Sequence, residues 1–327
     1  MGPNSRQRLE PSHDATRAQS RMGMRGSRKE CVTLKFKRKF KRRSVLLACV
    51  ACAAEYLFSA AHASPAAKPL IVGIVPNLSP RSMLSAYQPL REQLALFLAR
   101  PVELFTAPDF KTFYLRSAGG EYDLALMPAH LARLAQIEAG LVPVAQFIPQ
   151  QTGVALVAKQ SRIRQASDLL GKRIALVDSL ALVTLRAEDW LRAQGLVLGG
   201  NVPLAAHFTY HNAAVQAVIN GNADAAIISS APFATMPPEM RAAVRIVGTL
   251  GEMPTNVFMA NPQLSKGEVA QLQRALLDFG HQSGAGRHFL ARYRYQDIVP
   301  PSASEMQAMD SYAKRAKQIM TGHPDPR

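Results

Sequence analysis

HNAAVQAVINGNADAAIISS, His211 to Ser230, is the stretch on which the reading of the fold turns. Val215, Val218 and Ile219 fall at spacings of three and four, which gives one apolar face to a helix. Asn220-Gly221-Asn222 ends it, because glycine accepts the left-handed backbone that closes many helices. Ala225 to Ile228 is too short and too small-sided for another helix and reads as a buried strand. Two hydroxyls, Ser229 and Ser230, stand at its carboxyl end.

The same order of features occurs once before. FKTFYLRSAGGEYDLALMPA, Phe110 to Ala129, is again a helix, a glycine turn, an acid and a short apolar strand. Gly120-x-x-Asp123 matches Gly221-x-x-Asp224. Two such units predict two similar lobes.

The charge does not point to nucleic acid. The formal net charge is +16, but 14 of the 39 bases and only 4 of the 23 acids fall in residues 1–63. That segment reads as an export signal. Lys35 to Arg43 is a basic region, Ser44 to Phe58 is mainly apolar, and Ala61-His62-Ala63 suits cleavage, so the mature chain is expected to begin at Ser64. Met22 and Met24 are alternative starts. Leu46-Leu47-Ala48-Cys49 and Arg42-Arg43 hint at a lipid-anchored or twin-arginine signal, but ordinary export to the periplasm fits better. Cys31, Cys49 and Cys52 all precede the cleavage site, which leaves the mature chain without thiol or disulfide chemistry. A chain of 264 residues buries a large core without such staples.

From Ser64 onward strands and helices alternate. Strands are expected at 70–75, 102–105, 124–127, 154–158, 173–177, 207–210, 225–228, 244–250 and 256–260, and the tail from Lys266 is expected to be helical. Pairing 154–158 with 256–260 gives one lobe from 64–157 plus 256–327 and a second from 158–255. The fold class is α/β, with two doubly wound lobes of mostly parallel sheet. Ligands of open α/β sheets bind beyond the carboxyl ends of the strands, so the cleft lies between the lobes.

The loops at those strand ends carry hydroxyls, amides and histidines. Asn77, Ser79, Asp109 and His130 stand on one side, and Ser179, Thr184, His211, Asn212, Ser229 and Ser230 on the other. Several start helices, whose free N–H groups favour anions. They suit a small anionic or polar solute, although Asn77, Asp109, Ser179 and Ser230 would serve equally as caps and turn formers, and His130 and His211 as buried structural groups. Arg162, Arg164, Lys172 and Arg173 read as a solvated basic face. No nucleophile elbow, zinc-protease, Walker or dinucleotide motif is present, and no metal-ligand spacing either. No enzyme activity, cofactor, metal or nucleic-acid partner is expected.

Val75-Pro76-Asn77, Tyr87-Gln88-Pro89-Leu90, Asp109-Phe110, Gly120 to His130, Asp168 to Arg173 and His211 to Ser230, in that order, resemble the phosphate/phosphite/phosphonate solute-binding family of ABC transporters over 68–320. The resemblance implies a type II periplasmic-binding fold and delivery of a solute to a membrane permease. Where the family carries a Ser-Thr-Ser-Gly-like run, this chain reads Ser179-Leu180-Ala181-Leu182-Val183-Thr184. Phe110, Leu131 and Ser229 stand where Tyr, Tyr and Asp are usual, and His211 is kept. The expected role is capture of a small oxyanion by cleft closure, by a monomer. A periplasmic sensor that addresses a membrane kinase is the alternative on the same fold.

Overall fold

A computed structural model describes residues 67–322. The expected leader and its cleavage site lie outside the described residues. The first sheet contains β1 (Leu70–Ile74), β2 (Val102–Phe105), β3 (Leu124–Pro128), β4 (Val142–Ile148), β10 (Asn256–Ala260) and β11 (Asp297–Val299), in the order β11-β4-β10-β3-β1-β2. The second contains β5 (Gln151–Ala158), β6 (Ile174–Val177), β7 (Leu204–Phe208), β8 (Ala225–Ser229) and β9 (Val244–Met253), in the order β7-β6-β8-β5-β9.

The helices of the first sheet that matter below are α1 (Pro80–Leu98), α2 (Phe110–Ala118) and α3 (Ala129–Ala139). Those of the second are α4 (Leu182–Arg192), α5 (His211–Ile219), the short α6 (Ser230–Ala234) and α7 (Pro238–Ala242). The tail forms α8 (Lys266–His281), α9 (Gly284–Tyr293), α10 (Ala303–Gln307) and α11 (Asp310–Thr321). Strand β1 shows why the layers stack as they do. Leu70, Val72 and Ile74 alternate into a core with Leu90 and Leu94 of α1 and Phe279 of α8. Gly73 faces the other way, so close beneath the Tyr122 ring that a Cβ there would lie 2.4 Å from it.

The repeated motif does the same work twice. Asp123 Oδ2 accepts the N–H of Ile71 on β1 at 2.8 Å, and Asp224 Oδ2 accepts the N–H of Arg173, just before β6, at 2.8 Å. Each acid thus registers the incoming strand of the unit, β3 or β8, beside its parallel neighbour. Gly120 and Gly221 supply the left-handed backbone that turns the chain there, at φ +80° and +74°. Order and direction also correspond: β2-β1-β3-β10-β4 matches β7-β6-β8-β5-β9, with β10 and β5 each running antiparallel to both neighbours.

Three expectations change. The strand at 154–158 does not pair with 256–260; β5 pairs with β8 and β9, and β10 with β3 and β4. The chain leaves the first sheet at Pro149-Gln150 and re-enters it at Pro254-Thr255, through two-residue connections, so residues 151–157 go with the second sheet. An apolar run such as Val154 to Val157, buried on both faces, belongs between two strands of one sheet. The sheets are mixed because each receives an antiparallel strand at those connections. The tail is also more than helical, since β11 adds an edge to the first sheet beside β4.

Helix α11 ties both halves together. Arg133 of α3 bonds Asp310 at 2.6 Å, and Lys317 pairs with Glu138 of α3. Toward the second sheet, Arg315 reaches Glu188 at 2.8 Å and Asp189 at 3.0 Å on α4, and the Tyr312 hydroxyl donates to Asp189 at 2.8 Å. No helix among the described residues is long and apolar enough to cross a membrane.

Candidate ligand cleft

A cavity of about 40 Å³ lies between the carboxyl ends of the two sets of parallel strands. Asn77 follows β1, Pro128 ends β3, and Ala181, Leu182 and Val183 open α4. His211 opens α5, and Ser229 ends β8. Gln151, Met253, Pro254 and Asn256 line it from the two connections, and Tyr293 and Tyr295 from the tail. None of the lining side chains is a Lys, Arg, Asp or Glu.

The polar wall on the second-sheet side is built from helix starts. Neither α4 nor α5 has a side-chain cap. The N–H groups of Leu182 and Val183 in α4, and of His211 and Asn212 in α5, have no internal acceptor. These are the positive ends of two helix dipoles. His211 is 4% exposed, and its Nδ1 accepts the N–H of Ser229 at 3.4 Å. That bond puts the ring proton on Nε2, a donor. Burial holds His211 down at about 4, so the ring is neutral at pH 7. This wall therefore offers uncharged donors to an acceptor-rich ligand head.

Across the cleft the chemistry differs. Tyr87, Tyr293 and Tyr295 form an aromatic floor, with Tyr87 and Tyr293 centroids 6.2 Å apart and Tyr293 and Tyr295 stacked at 6.0 Å. Burial raises the hydroxyl of Tyr293 to about 12 and that of Tyr87 well above its ordinary value, so both stay protonated.

Two bonds join the halves beside the cavity. His130 is fully buried and donates from Nε2 to the Leu180 carbonyl at 2.8 Å. The Phe110 N–H, at the start of α2, donates to Asp178 Oδ2 at 3.3 Å. Burial pushes the Asp178 carboxyl up, against the pull of the Leu180 and Phe110 N–H groups.

Of the ten residues singled out from sequence, Asn77, His211 and Ser229 line the cavity. Most of the others are engaged elsewhere. Ser79 caps α1 by accepting the Ser82 N–H, and Asp109 caps α2 by accepting the Thr112 N–H at 2.7 Å. Thr184 donates to the Val177 carbonyl at 3.2 Å, and Ser230 accepts the Thr152 N–H at 3.1 Å, pinning the start of β5. His130 holds the halves together. Ser179 and Asn212 do not line the cavity. The spent hydroxyls and the cap satisfy backbone groups three or seven residues away or on an adjacent strand, the ordinary business of such residues at helix starts. Sequence reasoning missed Tyr87, Gln151, Asn256, Tyr293 and Tyr295. Tyr87 was hidden on the apolar face of α1. The tail tyrosines follow no strand-end pattern, Gln151 sits at a connection that was expected after residue 157, and Asn256 opens a strand that was expected at that place but carried no polar signal.

A family model described as ABC transporter, phosphonate, periplasmic substrate-binding protein matches residues 72–306. Among solved structures, a binding-protein component of an ABC phosphonate transporter from Pseudomonas aeruginosa is 14% identical, at a TM-score of 0.67, over 79% of this chain and 90% of its own. PhnD1 from Prochlorococcus marinus, solved with methylphosphonate, is 15% identical at 0.68, over 77% and 99%. The periplasmic aliphatic sulphonate binding protein of Escherichia coli is 20% identical at 0.55, over 80% and 90%.

Proposed function

This chain belongs to the phosphonate periplasmic substrate-binding family of ABC transporters, and from that footing we propose that it captures a small organic oxyanion in the cleft and presents it to the permease when closed. The family is a transport component and not an enzyme. One observation carries the choice of ligand. The uncapped starts of α4 and α5, with His211 and Ser229, turn neutral donors onto a cavity with no charged side chain in its lining. Such a wall stabilises an anion through N–H groups and helix dipoles. It also spares the cost of desolvating a cation to meet it.

His211 Nε2, the Ser229 hydroxyl and the Leu182 and Val183 N–H groups bind the head. Asn77 faces them from the other side. Closure rotates the second sheet and its helices, 151–253, about Pro149-Gln150 and Pro254-Thr255. In the closed form His130 and Asp178 bridge the halves. The protein acts as a monomer after export and cleavage behind Ala63.

A thermal-shift screen with methylphosphonate, phosphite, phosphate, an alkanesulfonate and sulfate tests this. A ligand at about 100 times its Kd stabilises by about 2.7 kcal/mol. For a chain of this length that is on the order of 5–10 °C. A shift of that size with a phosphonate and not with sulfate is expected. No shift with any of the five would remove the oxyanion assignment.

A further inference from the structure

We propose that the side of the cavity facing away from the helix starts is a second recognition subsite, made by Asn77, Gln151 and Tyr293, that takes a hydroxyl group on the organic part of the ligand. The inference rests on reading this cavity as the solute site, and it narrows the solute to a hydroxylated oxyanion.

Seven buried side-chain polar atoms have no hydrogen-bond partner among the described residues, and three of them belong to residues lining this one cavity. They are Asn77 Oδ1, Gln151 Oε1 and the Tyr293 hydroxyl. Buried polar atoms are almost always paired, because an unpaired one forfeits its hydration without return. The three come from the end of β1, the start of β5 and the end of α9 and share one cavity lining, where a partner that arrives with the ligand would pair them. Tyr293 is 5% exposed and sits in an aromatic cluster with Tyr87, Phe289 and Tyr295. Its hydroxyl is therefore held in place.

The chemistry of the three selects the partner. The side-chain amides of Asn77 and Gln151 make no hydrogen bond among the described residues. Each offers a carbonyl oxygen and an NH2 group in interchangeable positions, and the tyrosine hydroxyl both donates and accepts. A partner that also does both satisfies the set whichever way the amides are turned. A hydroxyl does so. An alkyl group does neither. An ammonium only donates, and no carboxylate lines the cavity to compensate its charge.

Calorimetric titration of the purified protein with matched phosphonates tests the subsite. Hydroxymethylphosphonate is compared with methylphosphonate, 2-hydroxyethylphosphonate with ethylphosphonate, and 2-aminoethylphosphonate is run beside them. In each pair the hydroxylated ligand is expected to bind at least about tenfold tighter. In Asn77→Leu and Gln151→Leu that ratio collapses toward one, whatever happens to the absolute affinities. Tyr293→Phe, which removes one oxygen and keeps the ring packing, lowers the ratio as well and guards against a folding failure in the other two. Equal affinities within the pairs overturn the subsite and leave the oxyanion reading standing. A tighter 2-aminoethylphosphonate overturns it in favour of a cation site. No binding by any member removes the oxyanion reading, and the subsite falls with it.

Discussion

His130 and His211 should make the protein lose stability as pH falls from 6.5 toward 4, beginning above the range in which its ordinary carboxylates titrate. Both rings are buried, at 0% and 4% exposure, and both are held down at about 4 from 6.5, chiefly by burial. At His130 the Leu180 carbonyl pulls upward and the Arg315 charge adds to the depression. A histidine whose folded value is depressed binds its proton more readily in the unfolded chain. Its contribution is therefore intact above pH 6.5 and is lost as pH falls toward 4. Between pH 8 and pH 5 the linkage comes to about 2 kcal/mol per ring, or about 4 kcal/mol for the pair. Asp178, whose carboxyl is raised, acts in the opposite sense at lower pH. Asp224 and Glu138, held low by Arg173 and Lys317, add their losses as pH falls from the ordinary carboxylate range down through their lowered values. Guanidinium unfolding at half-unit steps from pH 8 to 5 measures the slope. His130→Asn with His211→Asn should flatten it, even if the variant is less stable throughout. An unchanged slope in the double variant would refute the assignment of the loss to these two rings.

Thr184→Val should lower stability by about 1 kcal/mol, through the lost bond to the Val177 carbonyl, and leave ligand affinity unchanged by calorimetry. A fall in affinity would return that hydroxyl to the ligand. Asp123→Ala strands the Ile71 N–H and should cost about 1–3 kcal/mol in urea unfolding, and Asp224→Ala should act in the same sense but cost less, because the Arg173 N–H is exposed and water replaces the carboxylate. Gly73→Ala drives a Cβ to 2.4 Å from the Tyr122 ring, itself stacked on Phe113, and should cost about 1–3 kcal/mol by thermal melting. Arg315→Ala removes the Arg315 bonds to Glu188 and Asp189 without touching the cavity, and leaves the Tyr312 bond to Asp189 in place. It should weaken ligand binding by up to about tenfold, because the closed form loses part of its support; unchanged affinity would make α11 a passive packing element.

The two-lobe fold was legible because its signal is local and occurs twice. Gly120-x-x-Asp123 and Gly221-x-x-Asp224 each place a left-handed turn and a carboxylate within four residues of a buried strand, and both carboxylates bond a neighbouring strand's N–H. What could not be read was where the chain changes sheets. Pairing of β5 with β8, or of β10 with β3, joins residues some 70 to 130 apart, and the pattern of apolar residues in Val154 to Val157 is the same whichever sheet receives them. Two-residue connections at Pro149-Gln150 and Pro254-Thr255 leave no composition signal. The first boundary, expected after residue 157 and found after Gln150, in turn hid Gln151, which lines the cavity because it flanks that connection.

The same logic explains which polar residues were misassigned. A cleft that closes must join two surfaces as well as hold a ligand, and both tasks draw on polar groups at strand ends. His130 and Asp178 have the right types and positions for ligand contact, yet they bond the opposite half of the protein, at Leu180 and at the start of α2. Asp178 also occupies the N–H at Phe110, so that helix start is unavailable to an anion, whereas α4 and α5, uncapped, keep theirs free. The proposed ligand wall accordingly lies where the sequence looks least functional, at Ala181-Leu182-Val183, since small or apolar side chains expose backbone donors that a Ser or Asp would cap. Replacing Ala181 by Asp should supply that missing cap. The expected result is a more stable protein that binds its oxyanion at least about tenfold more weakly, because the new carboxylate claims the donors and repels the ligand. Retained affinity in Ala181→Asp, measured beside the gain in melting temperature, would show that the head is held elsewhere.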